Sequence, residues 1–239
     1  RMSGGFYFKE FYSEAGDISE NSEDCLFLNI WTPAKTPDEK LPVIIWIYGG
    51  GLMSGYTAEM EFDGERIARR GVVVVCINYR VNTFGFLCHP EITAESPDAP
   101  ANFGHLDQQF GTRWVKRNIA AFGGDPDNIT IGGQSAGGMS VASLLNTPLS
   151  KGLISGGIMM SGGGLRPPTG GVGPWLSLEQ AQKYGEMLLE KLGVKSVEEA
   201  RGIPANVIMR TSLGNWRDGM IPPMKWRPTV DGVFFTEEL

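Results

Sequence analysis

The feature that most constrains this chain is a five-residue turn, Gly133-Gln134-Ser135-Ala136-Gly137, set between two segments of opposite periodicity. Ile129–Ile131 before it reads as a short strand, and Met139–Leu145 after it carries the apolar spacing of a helix. A strand that reverses into a helix over so few residues admits only small side chains around the turn, and Gly133 and Gly137 meet that need. The reversal lifts the Ser135 side chain above the carboxyl end of a sheet, where open α/β folds bind their ligands. It also sets the hydroxyl over a helix N-terminus, which favours developing negative charge. G-x-S-x-G alone is a weak pattern, since glycine and serine are common. Its strand–turn–helix setting is that of a nucleophile elbow, and Ser135 is therefore the candidate nucleophile.

The segments around the turn fit the same architecture. Pro42–Tyr48 and Val72–Asn78 are continuous apolar runs, the pattern of strands buried on both faces, and Leu26–Thr32 and Gly157–Met160 read as further strands. Glu61–Arg70 has helical spacing with Gly71 as its stop. Leu106, Phe110, Trp114 and Val115 are expected to line one helical face, ended by Gly123-Gly124. Buried strands alternating with helices imply an α/β fold with a mostly parallel central sheet and helices on both faces. After residue 165 the texture changes. Arg166–Pro174 is a Pro/Gly loop, then Ser177 and Gln180 form a capping box opening a Leu178–Leu192 helix closed by Gly193. Ser196 and Glu199 repeat the box signature. Residues 1–165 are thus expected to form the sheet core, and 166–239 a mainly helical lobe of the same domain.

Composition excludes several function classes. The net charge of −6 comes without a basic block or stripe, so no nucleic-acid partner is expected. The longest apolar runs are strand-sized, giving no membrane span, and no signal peptide is visible; the compartment stays unknown. The chain starts at Arg1, without an initiating methionine, so an upstream segment could precede it. Cys25, Cys76 and Cys88 cannot all pair within one chain, and neither histidine is spaced with them as metal ligands are. No metal and no organic cofactor is expected.

A second element supports the elbow. Gly49-Gly50-Gly51 directly follows the Pro42–Tyr48 strand. An oxyanion hole needs backbone N–H groups aimed at a tetrahedral oxygen, and glycines allow that close approach. One donor would come from Ala136, the residue after the nucleophile, and the others from this loop.

Phe122–Gly138 (FGGDPDNITIGGQSAGG) resembles the serine signature of the type-B carboxylesterase family, which includes the cholinesterases. Ser22–Trp31 (SEDCLFLNIW) resembles a second signature of that family, and Trp46–Leu52 (WIYGGGL) its oxyanion strand and loop. Asn78–Leu87, Asn102–Gln109 and Val230–Phe235 match further stretches in family order. The resemblance implies an α/β-hydrolase fold, of which this chain would be the N-terminal portion, acting on small-molecule carboxylic esters through an acyl-enzyme. It implies Ser135 as nucleophile and Gly50, Gly51 and Ala136 as oxyanion donors. It implies a structural ion pair between Glu23 and Arg80; without it both read as solvated surface charges. Two positions depart from the pattern. Gln134 stands where the family usually has glutamate, and Cys25 falls where many relatives place a disulfide cysteine, whose partner would lie upstream of Arg1. Cys25 is therefore expected to be free.

The rest of a triad is missing from the sequence. α/β-hydrolases run serine, acid, histidine along the chain, yet both histidines, His89 and His105, precede Ser135. Each is expected to be a surface or helix-end residue. Glu179, Glu186, Asp218, Asp231 and Glu237 follow the serine without the family's acidic context. The acid and histidine are expected beyond Leu239, in a missing C-terminal half or a second chain, leaving these residues inactive alone. A sheet cut there should leave an unpaired edge and an apolar patch. The alternatives are a non-catalytic, cholinesterase-like interaction domain, or a related amide or lactone hydrolase. Met53, Phe103, Leu165 and Trp175 are candidate pocket residues, for which core packing is an equal explanation.

Overall fold

The computed structural model describes residues 22–162, 175–213 and 226–236. Its centre is a five-stranded sheet built from β1 (Leu28–Trp31), β2 (Leu41–Ile47), β3 (Val73–Ile77), β4 (Gly124–Gln134) and β5 (Gly156–Met160), in the order β1-β3-β2-β4-β5. β1 runs antiparallel to β3, and every other neighbour is parallel. The register puts Val43, Val73 and Ile129 in one row and Ile45, Val75 and Ile131 in the next. Because side chains alternate along a strand, all six point to the same face, and each is at most 1% exposed. Two helices, α4 (Phe103–Asn118) and α5 (Ala136–Asn146), cover that face with Val115, Val141 and Leu144, joined by Ile119 just past the end of α4.

The opposite face is covered less evenly. The four-residue α1 (Glu65–Ala68) lies over β1 and β3, so tightly that a Cβ on Gly64 would come within 2.8 Å of Val74. This contact explains why the Glu61–Arg70 segment is not one helix: it breaks at Gly64 into a 3-10 turn at Met60–Phe62 and α1. Over β4 and β5 the face is open among the described residues, leaving Ile158 41% and Met160 45% exposed. The outer edge of β5 has no partner strand among them either.

The largest difference from the sequence reading lies in α4. Phe110 is 65% exposed, and the buried stripe is polar: His105, Asp107, Gln108, Gln109 and Thr112 join Gly104, Gly111 and Val115. The two glycines let the helix sit close, since a Cβ on Gly111 would stand 2.7 Å from Ile77 and one on Gly104 2.4 Å from the Arg80 carbonyl. A helix that close needs small or hydrogen-bonded residues beneath it. Gln109 Nε2 accordingly donates to Leu149 O at 2.7 Å, and Thr112 Oγ1 to Gln108 O at 2.8 Å. The helix also ends earlier than Gly123, at Asn118, with a 3-10 turn over Ile119–Phe122 before Gly123 takes the left-handed cap.

Four short helices, one of fifteen residues and a two-stranded ribbon complete the described chain. α2 (Asn82–Phe86) and α3 (Pro90–Glu95) follow β3. The Ser177–Gln180 box opens α6 (Leu178–Leu192) as expected, with reciprocal bonds of 3.1 and 3.2 Å and Gly193 at φ 74°. At α7 (Val197–Arg201) only half of the box forms: Ser196 Oγ accepts from Glu199 N, while the Glu199 carboxylate turns to Lys195 N. α8 (Ala205–Leu213) follows, and β6 (Leu176–Ser177) pairs in parallel with β7 (Thr229–Val230). Leu188, Trp226, Phe234 and Phe235 pack into the same apolar cluster as the sheet. The Arg166–Pro174 loop lies outside the described residues.

Candidate active site

Ser135 sits where β4 ends and α5 begins, with φ 56° and ψ −123°. A side chain in this region clashes with its own backbone, so the conformation persists only where the surroundings enforce it. Three contacts do so here. Ser135 N donates to Met160 O of β5 at 2.8 Å, and Met139 N donates to Ser135 O at 3.0 Å. The flanking backbones nearly touch: a Cβ on Gly137 would be 2.1 Å from Ile47 O, and one on Gly133 2.5 Å from the Gly137 carbonyl. Gln134, by contrast, is exposed. Among the described residues the Ser135 hydroxyl has no hydrogen-bond partner, and the side chain is partly exposed at the N-terminus of an eleven-residue helix.

The glycine loop lies against the serine. A Cβ on Gly49 would be 3.3 Å from Ser135 Cβ. Gly50, Gly51 and Leu52 follow with φ of 96°, 67° and 62°, and Met53 N and Ser54 N close a turn onto Gly50 O at 3.0 and 3.2 Å. Both Gly50 and Gly51 are exposed, while Ala136 is buried at the start of α5. Among the described residues no hydrogen bond uses the N–H of Gly50, Gly51 or Ala136. The end of β2 is fixed by a tyrosine pair. Tyr48 and Tyr79 stack at 4.4 Å, Tyr48 OH donates to Tyr79 O at 3.1 Å, and Tyr79 OH donates to Tyr48 O at 2.9 Å. Burial pushes both phenols up, so they stay neutral donors.

Neither histidine is a surface residue. His105 is fully buried in the first turn of α4, enclosed by Phe86, Phe234 and Phe235 at ring distances of 5.4, 5.4 and 5.9 Å. Its Nδ1 lies 3.0 Å from Gln108 Oε1, and Gln108 Nε2 donates onward to Ser140 Oγ at 3.1 Å. Because Oε1 only accepts, Nδ1 carries the proton and Nε2 is bare; Nε2 is buried without a partner among the described residues. Desolvation is the main cause lowering its pKa to about 4, against a smaller opposing effect of Gln108. His89 caps α3 with Nδ1 accepting from Glu91 N at 3.2 Å, and is 7% exposed. Both imidazoles are committed to structure.

Other expected residues fall as follows. Arg80 pairs with Asp107, not Glu23: Nη2 and Nε donate to the carboxylate at 2.7 and 2.8 Å, and the Arg80 backbone N–H adds a third bond at 3.0 Å. Asp107 is buried on α4, whereas Glu23 is exposed and its carboxylate has no ion pair among the described residues. A buried partner offering two oxygens and a planar fork outcompetes a solvated one. Asp231 is a clamp: Oδ1 accepts from the N–H groups of Val233, Phe234 and Phe235 at 2.8–3.0 Å, and Oδ2 from Asn102 Nδ2 at 2.8 Å. Cys25, Cys76 and Cys88 are free, and burial pushes the Cys76 and Cys88 thiols up to about 12. Phe103 lies under the Arg80 guanidinium at 5.4 Å, Trp175 packs on Phe235 at 4.1 Å, and Met53 packs on the core. Leu165, Asp218 and Glu237 lie outside the described residues. A recess of about 320 Å³ lined by Leu144, Pro148 and Ser150 lies at the other end of α5 from the serine and takes no part in this site.

A mostly parallel sheet ordered β1-β3-β2-β4-β5, flanked by helices and carrying a strained serine on the β4–α5 turn, is part of an α/β-hydrolase fold. The Carboxylesterase family model matches residues 6–238, and the chain belongs to that family. It is 42% identical to the para-nitrobenzyl esterase of Bacillus subtilis (strain 168), over 74% of this chain and 34% of that protein. It is 38% identical to the bile salt-activated lipase of Bos taurus, over 93% of this chain and 38% of that protein. Among solved structures, the Geobacillus stearothermophilus carboxylesterase EST55 superposes with a TM-score of 0.78 at 41% identity, over 91% of this chain and 43% of that one. The chain thus spans less than half the length of each of these relatives. No described helix is long and apolar enough to cross a membrane.

Proposed function

We propose that the protein is a serine hydrolase of carboxylic esters, with Ser135 as nucleophile. The observation that carries this reading is the enforced positive-φ backbone at Ser135, which presents a hydroxyl beside the Gly50, Gly51 and Ala136 amides, none of them paired among the described residues. Ser135 Oγ attacks the ester carbonyl while its proton passes to a general base. The carbonyl oxygen becomes an oxyanion held by the N–H groups of Gly50, Gly51 and Ala136 and by the positive end of α5. Collapse breaks the carbon–oxygen bond, the alcohol leaves with the proton, and water then cleaves the acyl-serine by the same route. The base and its acid come from outside these 239 residues, in a C-terminal half or a second chain: no histidine follows Ser135, and His105 and His89 are both occupied in packing. Any acyl carbonyl fits this chemistry; the named relatives, an esterase and a lipase, favour esters over amides.

The test is fluorophosphonate labelling of the intact protein together with turnover of a short-chain p-nitrophenyl ester. Ser135→Ala should abolish labelling and lower kcat at least about 10³-fold. Equal labelling or equal turnover in the two proteins overturns the assignment. The 239 residues alone should show negligible hydrolysis, and robust turnover by them would place the base within this chain.

A further inference from the structure

The loop that carries Gly50 and Gly51 has few bonds of its own. Three successive residues hold positive φ, and the third, Leu52, does so with a full side chain. Its internal bonds are the two from Met53 N and Ser54 N to Gly50 O. The far side of the loop is held by Asn82, the first residue of α2, which is 6% exposed. Asn82 N donates to Leu52 O at 2.7 Å, and its Nδ2 donates to Met53 O at 3.3 Å. The side chain is clamped at its other end too, because Oδ1 accepts from Phe84 N at 3.3 Å. Asn82 has φ 50°, a conformation that asparagine tolerates better than most residues.

Asn82 is in turn fixed from beneath. Two residues earlier, Arg80 is bonded through both backbone and guanidinium to Asp107 of α4. Gly85 rests on the Arg80 carbonyl so closely that a Cβ there would be 2.2 Å away. A continuous set of bonds therefore runs from the buried face of α4, through the 80–82 turn, to the carbonyls just after Gly51.

We propose that Asn82 is a positioning residue for the oxyanion site, its two bonds to Leu52 and Met53 setting the direction of the Gly50 and Gly51 amides. The proposal rests on the ester-hydrolase reading above. Carbonyls and amides alternate along the backbone, so fixing the carbonyls of residues 52 and 53 limits rotation of the peptides before them. An oxyanion donor that is misaimed loses its preference for the transition state while substrate binding is little changed.

The experiment is kinetic and uses the intact protein, with Ser135→Ala measured alongside. Asn82→Asp keeps size, the backbone donor and Oδ1, but sets an oxygen where Nδ2 faced the Met53 carbonyl. It should lower kcat about tenfold with KM within about twofold, and weaken inhibition by a trifluoromethyl ketone, whose serine adduct carries the oxyanion, by a similar factor. Asn82→Gly keeps the positive φ and the backbone bond, and should lower kcat about threefold with matching loss of ketone inhibition. Wild-type kcat and ketone inhibition in a folded Asn82→Asp, or in Asn82→Gly where the first variant does not fold, overturn the role of Asn82. A fall in melting temperature alone does the same. If Ser135→Ala retains turnover, the parent reading fails instead, and this one with it.

Discussion

Three aromatic rings and one amide surround the His105 imidazole, and burial, with no charged side chain contributing among the described residues, lowers its pKa to about 4. Its ordinary pKa is near 6.5, so between those values the unfolded chain binds a proton that the folded chain refuses. Stability must then decrease as pH falls through that window. From about pH 7 to pH 5 the loss from this one residue amounts to about 2 kcal/mol. Denaturant melts at the two pH values should show His105→Leu losing less stability on acidification by that amount, with a constant offset from the broken Gln108 contact. The sequence offered no sign of this burial. His105 stands in a polar stretch, and only the approach of Phe234 and Phe235, some 130 positions later, encloses it. Ser135 is the contrary case: Met160 and Ile47 help enforce its backbone, but the small residues on either side and the change of periodicity across the turn leave a local signature that can be read.

At the scale of elements, caps and strands were legible because their causes are local. The Ser177–Gln180 box and Gly193 delimit α6 to the residue. β3 is buried at every position, as a run of valines implies. α4 departs from its apolar spacing because its buried face follows from what lies beneath it, not from its own apolar residues. Gln108 is fully buried and joins His105 Nδ1 to Ser140 Oγ, while Phe110 two positions on is mostly in solvent. Gln108→Ala would leave two buried polar groups unpaired and a cavity, costing about 3 kcal/mol in urea melts. Phe110→Gln should change stability by no more than about 0.5 kcal/mol, the reverse of what the apolar pattern suggests.

The whole molecule presents a sheet covered on one face and open over part of the other. β5 bears no charge and no proline, its outer edge is unpaired among the described residues, and Ile158, Met159 and Met160 are each more than 40% exposed. Such an edge is a template for association. Ile158→Lys should reduce light scattering of the 239-residue chain at equal concentration while its far-UV circular dichroism is unchanged. Unaltered scattering would mean that this face is already covered.

The fold class, the strand–turn–helix at Ser135, the glycine loop and the positions of most elements are legible in the residues alone. Each leaves a local signature, a run of small residues at a turn or a periodicity that any sheet or helix must obey. Packing between distant segments settles which partner Arg80 takes, what encloses His105, that Asn102 engages Asp231, and that Asn82 reaches the loop opposite. Those outcomes come from side chains 27 to 130 positions apart competing for the same buried donors and acceptors. Burial makes an unpaired group costly, so the closest geometric match prevails over the nearest charge in sequence.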